Sequence, residues 1–297
     1  MYSEEDINSA VDAGALSEDA AASFRAHMTE FRGITRGDEE NFRLLNSFND
    51  IFVAIGIVIM LFAAGAIGQQ IGDMVVAVPD WDWNADWSNA QYNEYQSLVG
   101  QRIAASIAIA AGLVALTSWP LAEFFSRKRR MALPSIILLL AFVGAVFAGS
   151  GALGVALVGV EQSEPYGGYF IAGAGFIAAL AAALHWARFK IPITVAAGAA
   201  ALCATAIGVI MSLLEPMNVD QSQVALWLTF VAGLAVFAFA MRWDLQDPER
   251  ITRRSDVAFW LHLLAAPMIA HPIFYGVGVV EGSDIGIGNA IAVLAIH

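Results

Sequence analysis

Seven apolar segments of membrane-crossing length constrain this sequence more than any other feature. A transmembrane helix needs about 20 predominantly apolar residues, and this chain of 297 residues is 58% hydrophobic and only 14% charged. Lipid rather than water must surround most of such a chain. We therefore predict an all-α polytopic transmembrane bundle. The predicted spans are residues 51–71, 103–125, 133–155, 169–187, 191–214, 224–241 and 257–279.

Two apolar segments depart from this simple pattern. The third run continues to Val160 and is too long for one perpendicular crossing, so it must tilt or break. We expect any break at Gly149, Ser150 and Gly151. Residues 285–297 are apolar but too short to span. They resemble the first half of an eighth helix in a chain that stops early, or a re-entrant or interfacial piece.

Residues 1–45 are polar and predict a helical hairpin with a linker, separate from the bundle of residues 46–297. Ser17 is a suitable N-cap for the second helix, and Gly14 a suitable stop for the first. Two such short helices cannot bury a core by themselves. We expect the hairpin to pack on a partner chain, on the rest of this protein or on the membrane surface. The apolar residues at helical spacing in the second helix are Ala20, Phe24, Met28 and Phe31.

The charges predict an orientation in the membrane. Of the fifteen Lys and Arg residues, all except Arg102 precede the first span or follow the second, fourth and sixth, while the alternate loops carry acids. The positive-inside rule then places the N-terminus in the cytoplasm and the acidic loops outside. We expect a bacterial inner membrane as the location, with the lipid bilayer as an obligatory partner. The net charge of −12 argues against nucleic acid as a partner.

The seventh span contains His262 and His271 within its apolar body. An ionisable group at membrane depth is costly and is by default a candidate functional residue. At about 100° per residue, Asp256 and Trp260 share a helix face with His271, whereas His262 lies opposite if the helix is straight. The two histidines therefore cannot form a single-helix metal clip. The candidates for transport or for a polar network are His271, His262, Asp256 and Trp260.

Several roles remain open for these imidazoles. They can be neutral groups that hydrogen-bond a hydroxyl or a carbonyl of a neighbouring helix, members of a proton or solute pathway, or metal or haem ligands. A metal or haem site would need ligands from another span, and His185 in the fourth span is the other transbilayer candidate. We predict no metal site and no cofactor.

The loop after the first span alternates aromatic and acidic residues. Aromatic rings beside carboxylates can stack on sugars or enclose cations, but aromatics next to a span more often form the interfacial belt. Nothing else on this short loop suggests hydrolysis. The candidate binding residues of this outer loop are Trp81, Asp82, Trp83, Asp86 and Trp87.

Small residues recur every four positions in the fourth and fifth spans. This spacing allows two helices to approach closely, and a short basic turn joins these two spans. We predict a tight antiparallel pair, with homodimerisation through one of the faces as the alternative. The helix-packing candidates are Gly175, Ala179 and Ala183 in one span and Ala200, Ala204 and Gly208 in the other.

The order of the parts resembles a family of uncharacterised bacterial membrane proteins, in which a short acidic helix pair precedes a many-helix bundle. The resemblance is carried by SEEDINSAVDAGALSEDAAASFRAHM and then by DEENFRLLNSFNDIFVAIGIVIML, within the first seventy or so residues. The resemblance implies the layout of the chain. No activity is assigned to that family, so it supplies no functional residue.

The leading functional hypothesis is a non-enzymatic membrane protein whose hairpin mediates assembly, with a homo-oligomer or another protein as partner. No phosphate-binding loop, dinucleotide fingerprint, nucleophile elbow or zinc-protease helix is present, and we predict no catalytic residue. A transporter or channel for protons or a small solute, using the histidines of the seventh span, is the alternative. A haem- or metal-dependent membrane enzyme is the third hypothesis.

Overall fold

A computed structural model describes residues 4–35, 48–80, 86–217, 219–248 and 252–276. The chain divides into two compact units, Met1–Leu44 and Leu45–His297. The apolar segment 285–297 and the loop residues 81–85 lie outside the described residues. Throughout the described part the regular structure is helical, without a strand.

The first unit contains two helices, α1 (Glu4–Asp12) and α2 (Glu18–Thr35). Gly14 stands in the turn with a φ of +70°, a conformation that glycine adopts without strain. The Ser17 hydroxyl accepts a hydrogen bond from the Ala20 amide at 3.2 Å, as an N-cap does. Arg25 of α2 donates to the Asn8 side-chain oxygen of α1 at 2.7 Å. These contacts join the two helices into a hairpin.

The second unit is a bundle of helices that confirms the predicted all-α polytopic class. Within the described residues it has seven long apolar helices of sufficient length and hydropathy to cross a membrane, and the chain is a multi-pass membrane protein. A short helix, α6 (Val160–Ser163), lies between two of them. The long helices are α3 (Phe48–Val75), α4 (Asn89–Ala122), α5 (Ala132–Val158), α7 (Gly167–Phe189), α8 (Ile193–Leu214), α9 (Gln221–Asp244) and α10 (Arg253–Gly276).

The expected break at residues 149–151 is wrong. α5 continues through Gly149 and Gly151 to Val158 and stops at Gly159, whose φ of +97° is incompatible with a helix. A Cβ on Gly149 would approach the Ala111 side chain of α4 to 3.0 Å. Close packing explains Gly149, because tertiary contact there outweighs the low helix propensity of glycine.

Neighbouring helices pack in nearly the order of the sequence. α3 packs on α4, α4 on α5, α5 on α7, and α7 on α8; α10 then packs on α8 and, most extensively, on α9. The basic residues flanking the helices define one end of this bundle, here called the basic end, and the acidic residues define the opposite, acidic end. The basic end carries Arg127, Lys128, Arg129, Arg130, Arg188, Lys190, Arg242, Arg253 and Arg254.

Glycines set the closest helix crossings. A Cβ on Gly68 of α3 would lie 2.4 Å from the Ala110 Cα of α4. A Cβ on Gly175 of α7 would lie 2.7 Å from the Ala201 carbonyl oxygen of α8, and one on Gly208 would lie 2.6 Å from the Gly168 carbonyl oxygen. The helix backbones therefore touch directly, which small residues permit in membranes, where dispersion contacts supply much of the association energy.

Candidate functional site

The most deeply buried titratable side chain among the described residues of the bundle is that of His185, which is 1% exposed. His185 lies on α7, one turn before the helix ends at Phe189 near the basic end. The surrounding helices are apolar at this depth, so a polar ring here requires a specific environment. This imidazole is therefore the centre of the candidate site.

One hydrogen-bonding group and three aromatic rings surround the imidazole. Its Nδ1 lies 3.4 Å from the hydroxyl oxygen of Thr194, which is also buried, at the start of α8. The ring centroids of Phe189, Phe142 and Trp119 lie 4.5, 5.9 and 6.1 Å from its own. Trp119 approaches edge-on at 89°, an arrangement favoured by the ring quadrupoles. Side chains of α4, α5, α7 and α8 thus converge on one ring.

The second ring nitrogen of His185 is not satisfied in the same way. Nε2 is buried and has no hydrogen-bond partner among the described residues. If Thr194 donates to Nδ1, Nε2 carries the proton; if Nδ1 donates to Thr194, Nε2 presents a lone pair. A buried polar atom left unpaired costs about 1–3 kcal/mol. The site can thus hold one proton in either of two tautomers, with Thr194 as its hydrogen-bonding partner.

A forked ion pair lies beside this imidazole at the basic end. Arg188 of α7 donates through Nε and Nη2 to the two carboxylate oxygens of Glu123, at 2.6 and 3.0 Å. Arg127 lies 3.6 Å from the same carboxylate. Such bidentate geometry is the specific mode of arginine–carboxylate pairing. It fastens the end of α4 to the end of α7, next to the aromatic rings around His185.

The end of α4 has an unusual helical geometry. Pro120 lies in its last turn, and residues Glu123–Lys128 continue it as a π-helical turn. Proline lacks a backbone donor and disturbs the helical ladder, and π-helical turns occur frequently at functional sites. The wider turn carries both Glu123 and Ser126, whose hydroxyl is buried without a partner among the described residues.

Among the seventh-span candidates, Trp260 packs, like Phe142 of the His185 site, against the core cluster that includes Ala182 and Ile193. His271 is exposed on the surface of α10, and Asp256 and Trp260 are partly buried. His262 is partly buried with its ring edge-to-face on Phe237 of α9, at 5.3 Å and 62°. α10 is helical through both Pro267 and Pro272. Asp256 and His271 lie at opposite ends of this helix, about 22 Å apart at 1.5 Å per residue, so they share no single site.

Among the described residues, no three His, Cys, Asp or Glu side chains are grouped closely enough to hold a metal ion. Of the outer-loop candidates, Trp81, Asp82 and Trp83 lie outside the described residues. Asp86 is exposed, and the Trp87 ring contacts that of Tyr95 edge-to-face at 5.8 Å. Both directly precede the Ser88 N-cap of α4, whose hydroxyl accepts from the Gln91 amide.

The small-residue candidates divide between the helix crossing and its margins. Gly175 and Gly208 lie at the backbone contact of α7 with α8. Ala179, Ala200 and Ala204 are partly buried, and Ala183 is exposed. The alanines one position away, Ala178, Ala182 and Ala201, are the buried ones. A repeat of small residues every four positions fits either set of alanines. The packing of the neighbouring helices decides which set is buried.

Sequence reasoning named His185 only as a possible companion of His262. Sequence reasoning missed Thr194, Trp119 and Arg188. Each of them contacts a residue on another helix, and these contacts exist only once the helices have packed. The one feature of the sequence that pointed to this site is the single histidine of the fourth span. Comparisons of the chain with known protein families, curated proteins and solved structures found no match.

Proposed function

We propose that this multi-pass membrane protein is a non-enzymatic component of an assembly in the bacterial inner membrane, with its N-terminal hairpin as the interaction module. The observation that carries the proposal is the surface of α2. Phe24 is 43% exposed although Ala21 beside it is completely buried. Ala20 is exposed and Met28 is partly buried on the same face.

The physical argument is that this hairpin gains stability by covering that face. Short helices are marginal in water unless an apolar face is packed, and here α1 covers one edge of α2 while the Phe24 ring stays accessible. Isolated exposed apolar residues are ordinary, but Ala20, Phe24 and Met28 form a continuous stripe at helical spacing. Either a second copy of the hairpin or another protein chain can cover such a stripe.

We further propose that the basic end of the bundle faces the cytoplasm, together with the hairpin. The distribution of Lys and Arg between alternate connections supports this orientation. The resemblance of the first seventy residues to uncharacterised bacterial membrane proteins supports the bacterial inner membrane as its location. An interaction module on that side would meet cytoplasmic partners or a neighbouring copy.

The test is a comparison of oligomeric state and bound proteins in three variants purified in lipid nanodiscs. Deletion of residues 1–45 and Phe24→Glu should both reduce the number of chains in the assembly. Ala26→Glu, an exposed position on the opposite face of α2, is the matched control and should leave it unchanged. An unaltered number of chains and unaltered partners after the deletion would exclude the hairpin as an assembly module.

A further inference from the structure

An open groove of about 720 Å³ lies between α5 and α7 toward the acidic end. Its size falls within the range of about 300–1,000 Å³ that is usual for ligand sites. The lining is apolar apart from one carboxylate and one hydroxyl, those of Glu161 and Ser163. None of the residues that line the groove belongs to the His185 site.

The sequence explains why the groove opens at this end. At the other end, α5 and α7 are joined by a core that includes Leu139, Val143, Ala178 and Ala182. Toward the acidic end the facing residues are small, including Ala148, Gly151 and Ala174. A Cβ on Gly151 would still stand 3.5 Å from that of Ala174. Larger side chains, those of Phe147, Phe170 and Ile171, line the groove, and the small residues leave the space between them open.

The positive φ of Gly159 gives the groove its polar mouth. At this residue the chain leaves α5, and α6 places Glu161 and Ser163 over the end of the groove. The Ser163 hydroxyl donates to the Val160 carbonyl oxygen at 2.8 Å, so it is already occupied. The Glu161 side chain is exposed. The mouth therefore offers a carboxylate above an apolar floor.

The groove lies at the depth of lipid chains and headgroups. Tyr166 and Tyr169, each 53% exposed with rings 6.3 Å apart, stand beside its mouth, as the aromatic residues of an interfacial belt do. Along α5 the lining runs from Phe147 to Val155, about 12 Å at 1.5 Å per residue. Half of a bilayer hydrocarbon core is about 15 Å thick.

We infer that this groove binds one acyl chain of a phospholipid whose headgroup carries a primary ammonium, with Glu161 as the acceptor for that ammonium. Basic pockets select anionic lipids, and by the same Coulomb argument the Glu161 carboxylate selects a cationic group. A primary ammonium, unlike the trimethylammonium of choline, also donates charge-assisted hydrogen bonds to a carboxylate. The groove lining contains no Lys or Arg to attract an anionic headgroup instead, and Arg102, the one base toward this end, lies within α4 and is not part of the lining. The apolar lining binds the acyl chain of the lipid through van der Waals contact.

The experiment uses the full chain reconstituted in vesicles of equal parts phosphatidylethanolamine, phosphatidylcholine and phosphatidylglycerol, followed by mild extraction and native mass spectrometry. We expect one retained lipid per chain, enriched about threefold in phosphatidylethanolamine, the scale of an exposed ion pair. Glu161→Gln should retain the lipid without the enrichment. Ala148→Phe fills the groove and should abolish retention.

Leu157→Phe is the matched control, because Leu157 is 78% exposed on α5 and does not line the groove. It should behave as the wild type. Enrichment in phosphatidylglycerol, equal retention of the three lipids by the wild type, or undiminished retention by Ala148→Phe would overturn the inference. If Ala148→Phe does not fold, Glu161→Gln still tests the inference, since the exposed Glu161 position tolerates the change.

Discussion

At the residue scale, His185 combines burial, aromatic contacts and one unsatisfied nitrogen. Its flat five-membered ring, smaller than a phenyl group, lies among Phe142, Phe189 and Trp119. The contact area of the ring therefore stabilises the packing of α7, while the buried Nε2 opposes it. Shape and polarity act in opposite directions at this position, and substitutions can separate them.

We predict that His185→Phe destabilises the protein much less than His185→Ala, because ring contacts remain and the loss of the unpaired Nε2 offsets the loss of the hydrogen-bond partner of the buried Thr194 hydroxyl. His185→Ala removes the ring and should cost about 2–4 kcal/mol, as other large-to-small core changes do. The stability of both variants is measured by reversible unfolding in mixed micelles, monitored by tryptophan fluorescence. Equal destabilisation by Phe and Ala would mean that the imidazole nitrogens, and not the ring, hold this site together.

Sequence reasoning found the residue types of this site but not their grouping. His262 and His271 ranked first because they lie deep in a span, and depth can be read from hydropathy. Burial cannot, because it depends on the neighbouring helix: His271 is exposed and His185 is 1% exposed. The partner Thr194 is close in sequence but lies on the next helix, so only the turn between α7 and α8 brings it to the imidazole.

At the scale of helices, the crossing of α7 and α8 provides a matched pair of glycines. A Cβ on Gly175 would lie 2.6 Å from the Thr205 hydroxyl and 2.7 Å from the Ala201 carbonyl oxygen, whereas one on Gly173 would meet nothing within 4 Å. Both glycines belong to the same helix and carry the same propensity cost. Any difference between their alanine variants therefore reports helix contact.

Gly175→Ala should destabilise the bundle by about 1–3 kcal/mol, since overpacking forces the two backbones apart. Gly173→Ala should be neutral, or stabilising by up to about 1 kcal/mol through helix propensity. Thermal unfolding of the two variants beside the wild type makes the comparison. Similar losses in both would contradict a direct backbone contact at Gly175.

The start of α9 provides a pH-dependent element. Asp220 is its N-cap and accepts from the Ser222 hydroxyl at 2.6 Å and from the Ser222 and Gln223 amides at 3.0 and 3.3 Å. The hydrogen bond from the Ser222 side chain, followed by that from the Gln223 amide, lowers the pKa of the Asp220 carboxyl below its ordinary value of 3.8. The charged carboxylate is thus the form that caps the helix.

A carboxyl group whose pKa is lower in the folded state than in the unfolded state stabilises the fold at pH values above the unfolded-state pKa. This stabilisation is lost as the pH falls through the lowered, folded-state pKa. Asp220→Asn keeps a good capping residue without a titrating group. We therefore predict that the wild type unfolds at a higher temperature than this variant near neutral pH, and that the difference shrinks below about pH 4. A difference independent of pH would show that the carboxylate charge is not involved.

The helices themselves were largely predictable from the sequence. Each predicted span overlaps an observed helix, because length and hydropathy together decide whether a segment crosses a membrane. The ends were less predictable. α4 begins at Asn89, well before the predicted residue 103, because Ser88 and Gln91 cap a polar first part that hydropathy does not detect. The glycines at residues 149 and 151 also led to a wrong prediction of where α5 breaks.

At the scale of the whole molecule, the orientation in the membrane can be tested with single cysteines. Cys203 is the only native cysteine, so Cys203→Ser gives the background. Ser222→Cys places an exposed thiol at the acidic end, and Arg129→Cys places one at the basic end. We predict that a membrane-impermeant maleimide labels the first in intact cells and the second only after lysis. The reverse pattern would refute a cytoplasmic basic end.

The order in which the helices pack also bears on how the protein is made. From α4 to α8, each spanning helix meets the spanning helix before it, so each contact can form soon after its second member leaves the ribosome. α9 differs, because its most extensive contact is with α10, which is synthesised after it. During synthesis α9 must therefore wait in the lipid for its main partner. That interval is the period in which chaperones and proteases of the membrane have their best access to the growing chain.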